Sequence, residues 1–168
     1  MTFAREHFRR FARYNAWANE RLYKSCFALS EAEYMKPRPA FFKGIHGTLN
    51  HLLLTDRMWF ARFDHKSYPV KSLDQQLYAD RVGLEVARRA EDAHIVNYVD
   101  GLSEADIEAP LTYTNSRGMP FTNPLGLLLA HVFNHQTHHR GQVSDLIAQT
   151  DVPTPELDLI IYTRMSGG

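Results

Sequence analysis

Apolar residues recur at helical spacing through four long segments of this chain, each roughly 20 to 27 residues, with proline, glycine and serine between them. Such a chain can bury its stripes only by packing helix on helix, and four long helices with short links predict an all-α four-helix bundle. The stripes are broad, as a globular bundle requires, and wider than a coiled-coil seam. At 168 residues the chain is long enough for one domain, taken as 1–168.

The first segment runs from about Phe3 to Leu29, with Phe8, Phe11, Asn15, Ala18, Leu22 and Cys26 at helical spacing. Ser30 followed by Glu33 reads as a capping box for a short helical turn, which Pro37 and Pro39 end. A second helix is expected from about Lys43 to Phe63, and a third from roughly Leu73 to Val99, closed by Asp100-Gly101. Leu111 to Thr114 alternates like a strand, Asn115 to Gly118 supplies turn chemistry, and Met119 to Thr122 can return, so a short hairpin or lid-like loop is expected. The last helix runs from about Leu125 to Gln149 after Pro124, and an apolar tail (Leu157, Leu159, Ile160, Ile161, Tyr162) should pack back on the body.

Composition removes several functions. Lys plus Arg equals Asp plus Glu at 19 each, so no net field draws in nucleic acid or an anionic membrane. The basic run of Arg5, Arg9, Arg10 and Arg13 is diluted by Glu6 and Glu20 and reads as a solvated helix face. The single cysteine, Cys26, excludes an internal disulfide and reads as an inert packed thiol in a reducing compartment. No stretch resembles a signal peptide or reaches membrane-spanning length, so the expected address is cytoplasmic.

Chemistry concentrates in the last helix, where His131, His135 and His139 stand four apart. Each step of four turns the side chain by only ~40° and climbs ~6 Å, so neighbouring imidazoles can converge on one metal ion. On a wheel with Leu125 at zero, His139 falls inside the apolar arc and His135 on its edge. His131 lies ~40° further out, and His138 points away. A lone inward histidine reads as a hydrogen-bonded core residue, but two unpartnered imidazoles buried together are costly, and a shared cation removes that cost. Gln142, near both, can orient a ligand or be a polar residue at the stripe margin. A third ligand must come from another helix, and the second offers His46 and His51, between which helical phase does not choose. Asp56 is a further candidate, as a ligand or as an acceptor behind one; His7, His65 and His94 read as surface or ordinary residues.

These pieces together resemble the DinB/YfiT-like family of four-helix-bundle metalloproteins. The resemblance rests on Tyr14-Asn-Ala-Trp-Ala-Asn19, His46-Gly-Thr-Leu-Asn-His51 with Asp56-Arg-Met-Trp59, Asn134-His-Gln-Thr-His-His-Arg-Gly-Gln142, and Pro155-Glu-Leu-Asp-Leu-Ile160. It spans essentially the whole chain, and the Asn134–Gln142 run is its specific part. Carried over, it implies a metal triad of His51, His135 and His139, a divalent cofactor that is zinc or nickel, and a homodimer. It also implies, from some relatives, use of the metal to activate a low-molecular-weight thiol for transfer or isomerisation. His131, Gln142 and Asp56 are then expected around the triad or its pocket.

Three imidazoles leave a coordination position open, which is a catalytic rather than a structural layout. That position can hold water or a substrate thiolate with a lowered pKa. No Glu sits beside the ligands as in H-E-x-x-H, which disfavours metalloprotease chemistry. Three functions compete: a metal-dependent transferase or hydrolase acting on a small molecule, a metal sensor or buffer without chemistry, and a helical interaction module with ordinary core histidines.

Overall fold

The computed structural model describes residues 3–115 and 117–167. Its elements are α1 (Phe3–Ala28), α2 (Glu31–Met35), α3 (Ile45–Phe63), α4 (Arg81–Gly101), α5 (Glu104–Glu108), β1 (Pro110–Thr114), β2 (Pro120–Pro124), α6 (Leu125–Ala148) and α7 (Leu159–Met165). The long helices α1, α3, α4 and α6 form the bundle, and each of α1 and α3 packs on both α4 and α6. The protein is therefore all-α apart from one two-stranded antiparallel hairpin that pairs Tyr113 with Phe121.

Side-chain contacts fix the helix directions. Asp56 meets Arg88 and Phe63 meets Tyr98, so α3 and α4 run parallel. Asn19 meets Asp92 while Arg13 meets Asp100, so α1 and α4 run antiparallel. His51 faces His139 and Trp59 faces His131, so α3 and α6 are antiparallel as well.

This topology corrects the expected start of the third helix. Because α3 and α4 run the same way, the chain must travel back along ~28 Å of α3 before α4 can begin. A helix begun at Leu73 would leave that return to residues 64–72, stretched nearly straight. Instead residues 64–80 form a non-helical crossover, and α4 starts at Arg81 with the Asp80 carboxylate accepting from the Gly83 N–H at 2.8 Å. Asn50 pins the crossover to α3, its Oδ1 accepting from the backbone N–H groups of Leu77 (2.8 Å) and Tyr78 (3.0 Å).

The capping signals are redistributed too. Ser30 accepts from the Glu33 N–H, but the Glu33 carboxylate turns to Lys36 and Arg38, so only half of the expected box forms. A complete box closes α5 at Ser103 and Asp106, a helix not anticipated from the sequence. The expected turn at Asn115–Gly118 includes Ser116, which lies outside the described residues. The tail packs back on α1: the Tyr14 hydroxyl donates to the Leu157 carbonyl at 2.7 Å, and Tyr162 lies against Trp17.

Two apolar clusters make the core. One gathers Phe8, Phe60, Ile95, Leu129 and Phe133; the other gathers Leu22, Ile45, Leu49, Leu84 and Ile147. Between them every long helix places buried polar residues: Asn15 and Asn19, Asp56, Arg88 and Asp92, Gln136 and Arg140. Arg88 bonds Asp56 at 2.7 Å and lies 2.9 Å from Asp92, while Asn15 and Asn19 donate to Asp92 and accept from Arg140. Two cations and two carboxylates cancel, which is what lets such a layer be buried.

Candidate metal centre

α3 and α6 bring His51, His135 and His139 together, although their positions lie far apart in the sequence. A ligand nitrogen from each lies within 4.8 Å of the other two. The His135 Nε2 is 3.2 Å from the His51 Nε2 and 3.0 Å from the His139 Nε2. His51 and His139 are buried and His135 half-buried, so the cluster sits at the edge of the core and not within it.

The outer ring nitrogens decide what these contacts can be. His51 Nδ1 lies 2.8 Å from the Leu73 carbonyl, which can only accept, so Nδ1 carries the proton and Nε2 a lone pair. His139 Nδ1 likewise donates to Gln142 Oε1 at 2.7 Å, with the Gln142 amide group turned toward His138. His135 Nε2 therefore faces two lone pairs and has at most one proton to offer. Protonating the cluster is no remedy. Burial and the neighbouring imidazoles push His135 down to about 3, burial pushes His51 down to about 4, and burial also lowers His139. Three neutral imidazoles with converging lone pairs are the donor set of a borderline divalent cation. Nitrogens ~2.05 Å from a tetrahedral ion stand ~3.3 Å apart, close to the two spacings above.

The local backbone is built to close one side of this site. The Phe42 ring stacks on His51 with centroids 3.8 Å apart and stands edge-on to His139 at 5.5 Å. It is placed there by a tight entry to α3, in which Lys43 takes φ 64° and Gly44 φ 141°. Gly47 lets the loop lie against the helix: a Cβ there would stand 2.0 Å from the Phe42 carbonyl oxygen.

The other expected residues fall into place around the cluster or away from it. His131 is exposed at the rim, 5.9 Å from the His135 ring and edge-on to Trp59 at 5.2 Å. Gln142 orients His139, as one of its two readings required. Asp56 does neither job expected of it. Its carboxylate accepts from Arg88 and Gln136 in the buried layer, with no bond to a histidine among the described residues; burial raises it to about 6 against the pull of Arg88. His46, the rival of His51, is fully engaged: its Nδ1 accepts from the Tyr34 hydroxyl and its Nε2–H donates to the Tyr78 carbonyl, each at 2.9 Å. His138 is exposed, and His94 pairs with Glu91. Cys26 is buried, and burial pushes its thiol up to about 12, which makes it inert.

Sequence reasoning missed Phe42, the Leu73 carbonyl and the contact of Trp59 with His131. The first two depend on loop paths that no periodicity encodes. The buried polar layer did leave a trace, since Asn15 stands among the inward positions of the first helix.

Comparison with known proteins agrees with this arrangement. The chain is 26% identical over 158 residues to "Protein DinB" of Bacillus subtilis (strain 168), covering 91% of each chain. The model of the DinB family matches residues 2–167, nearly the whole sequence. A helical bundle with three histidines gathered across its second and last long helices thus accompanies a full-length family match, and the chain belongs to the DinB family.

Proposed function

We propose that the chain binds one divalent metal ion, zinc or nickel, through Nε2 of His51, His135 and His139, and that it is a metal-dependent transferase acting on a small molecule with a low-molecular-weight thiol. The observation that carries the metal is the convergence of lone pairs, which two outer hydrogen bonds impose on His51 and His139. Once bound, the ion supplies Lewis-acid stabilisation of a thiolate or hydroxide at a position the protein leaves open. The protein's own part is to hold the ring tautomers, to keep the imidazoles neutral and to shield one side with Phe42.

A metal sensor or buffer is the second reading, and one observation favours the first. A sensor needs no cleft, whereas a hollow of about 280 Å³ borders the site, lined by Trp59, Leu73 and Tyr113 among others. Homodimerisation and a cytoplasmic address, both expected from the sequence reading, belong to the same proposal. No helix among the described residues is long and apolar enough to cross a membrane.

Metal analysis of purified protein tests the core of the proposal. One ion per chain is expected for wild type, His46→Ala and His138→Ala, and none for His135→Ala or His139→Ala. His51→Ala should weaken binding strongly. Equal loss in all five variants, or no stoichiometric metal in wild type after expression in metal-replete medium, sinks the assignment.

A further inference from the structure

The hollow beside the histidines contains a cation with no counter-ion. Arg62 projects from α3 one turn beyond Trp59, with its guanidinium 4.7 Å from the Trp59 ring centroid and 5.7 Å from that of Tyr113. It is half-buried, and among the described residues no carboxylate lines the hollow and no acceptor bonds its side chain. This differs from the other arginines facing carboxylates across the bundle: Arg57 has Glu91, Arg88 has Asp56, and Arg13 has Asp100. An arginine held between aromatic faces, partly desolvated and unneutralised, is a ready site for an anionic oxygen group.

The hollow lies next to the histidine cluster and shares two of its neighbours. Phe42 covers the cluster on the side toward the start of α3, leaving the side toward His131 and Trp59. Trp59 touches His131, and the Leu73 carbonyl that fixes the His51 tautomer belongs to a residue lining the same hollow. The far wall is the hairpin, where Tyr113 and Phe121 pair across the strands with rings 6.0 Å apart. A small molecule lying there would have apolar walls along its body, the metal position at one end and a guanidinium at the other.

We propose that Arg62 anchors a carboxylate of the thiol substrate, so that the hollow selects an anionic thiol long enough to span from the guanidinium to the histidines. The proposal rests on the metal reading above. Trp59 and Tyr113 are positioning residues, which hold the guanidinium open toward the hollow by stacking and present no competing charge.

The test uses the full chain loaded with zinc, and with cobalt(II) where sulfur ligation is to be seen by its charge-transfer absorption. Metal content is measured first. Wild type, R62Q and R62K are then titrated calorimetrically with glutathione, which carries a thiol, two carboxylates and an ammonium, and with its diethyl ester, which keeps the thiol and the ammonium and loses both carboxylates. Wild type is expected to bind glutathione about tenfold or more tightly than the diester. R62Q should lose that preference while keeping its metal and its helical circular dichroism, and R62K should recover part of it. The bound metal ion attracts anions as well, and R62Q, which keeps the metal, separates that attraction from the arginine's. An empty metal site overturns the metal reading and the anchor together. In a loaded chain, equal affinity for the two probes, no binding of glutathione, or R62Q behaving as wild type overturns the anchor alone. Should R62Q fail to fold, R62M titrated with the same two probes decides in its place.

Discussion

Asn50→Ala tests how the fold sets the site, because Asn50 touches no other part of the metal proposal. Its side chain, 1% exposed, joins α3 to the crossover that follows it. The substitution strips the Leu77 and Tyr78 N–H groups of their acceptor and removes one donor from the Tyr78 carbonyl, which keeps the His46 N–H. Leu77 and Tyr78 are half-buried, so water can reach the freed groups and each costs nearer to ~1 than to ~3 kcal/mol. The expected loss is about 2–3 kcal/mol in urea unfolding of the metal-free chain. The crossover also carries the Leu73 carbonyl that orients His51, and losing such an outer hydrogen bond weakens metal binding by about 10- to 100-fold. Competition with a chromophoric chelator reads that second effect, and hydrogen exchange over residues 70–80 reads the loosening directly. A destabilisation under about 0.5 kcal/mol with unchanged exchange would refute the claim that this residue holds the crossover.

Other perturbations separate the remaining parts. Gly47→Ala drives a Cβ into the Phe42 carbonyl at 2.0 Å, so the loop must move; a thermal shift corresponding to a loss of ~2 kcal/mol or more and weakened metal binding are expected, and a wild-type melting curve would contradict the packing. Asp56→Ala leaves Arg88 in the core with only Asp92 beside it and should cost about 3–5 kcal/mol in denaturant unfolding, with a loss under 1 kcal/mol arguing against a charge-balanced buried layer. The metal-free protein should lose stability as pH falls. His51 and His135 are depressed in the folded state to about 4 and about 3, so below the ordinary histidine value of 6.5 the unfolded chain takes protons that the folded site refuses. Unfolding followed from pH 7.5 to 4.5 should show this decline, and it should be smaller in the variant lacking both side chains, His51→Ala with His135→Ala; equal slopes would rule out these two as its source.

Much of the architecture could be read from periodicity alone. The bounds of α1, α3 and α6 and the hairpin between α4 and α6 follow from apolar spacing and from Ser, Gly and Pro at the breaks, which act locally. The segment from Leu73 to Asp80 could not be read that way. Its Leu77 is partly buried, as an inward helical residue would be, yet it packs from an irregular, non-helical strap. Whether such a residue is helical depends on whether the next helix runs parallel or antiparallel to the last, a relation between distant elements that no local pattern carries.

The site divides along the same line. His135 and His139 were marked by a four-residue spacing and by an apolar arc, both properties of one helix, so the sequence by itself determined them as a pair facing inward. Helical phase left His46 and His51 equal; the family resemblance named His51, and packing supplies the physical reason: the crossover and Tyr34 engage both nitrogens of His46, while His51 keeps one nitrogen free to meet α6. Asp56 moved the other way, from expected partner of the metal to member of a charge-balanced layer, because its neighbours Arg88 and Gln136 arrive from other helices. Residue spacing encodes which way a side chain points from its own helix. What it meets there is set by the other three helices and the strap between them, and that alone turned two inward imidazoles into a three-nitrogen cluster near an arginine that has no carboxylate partner among the described residues.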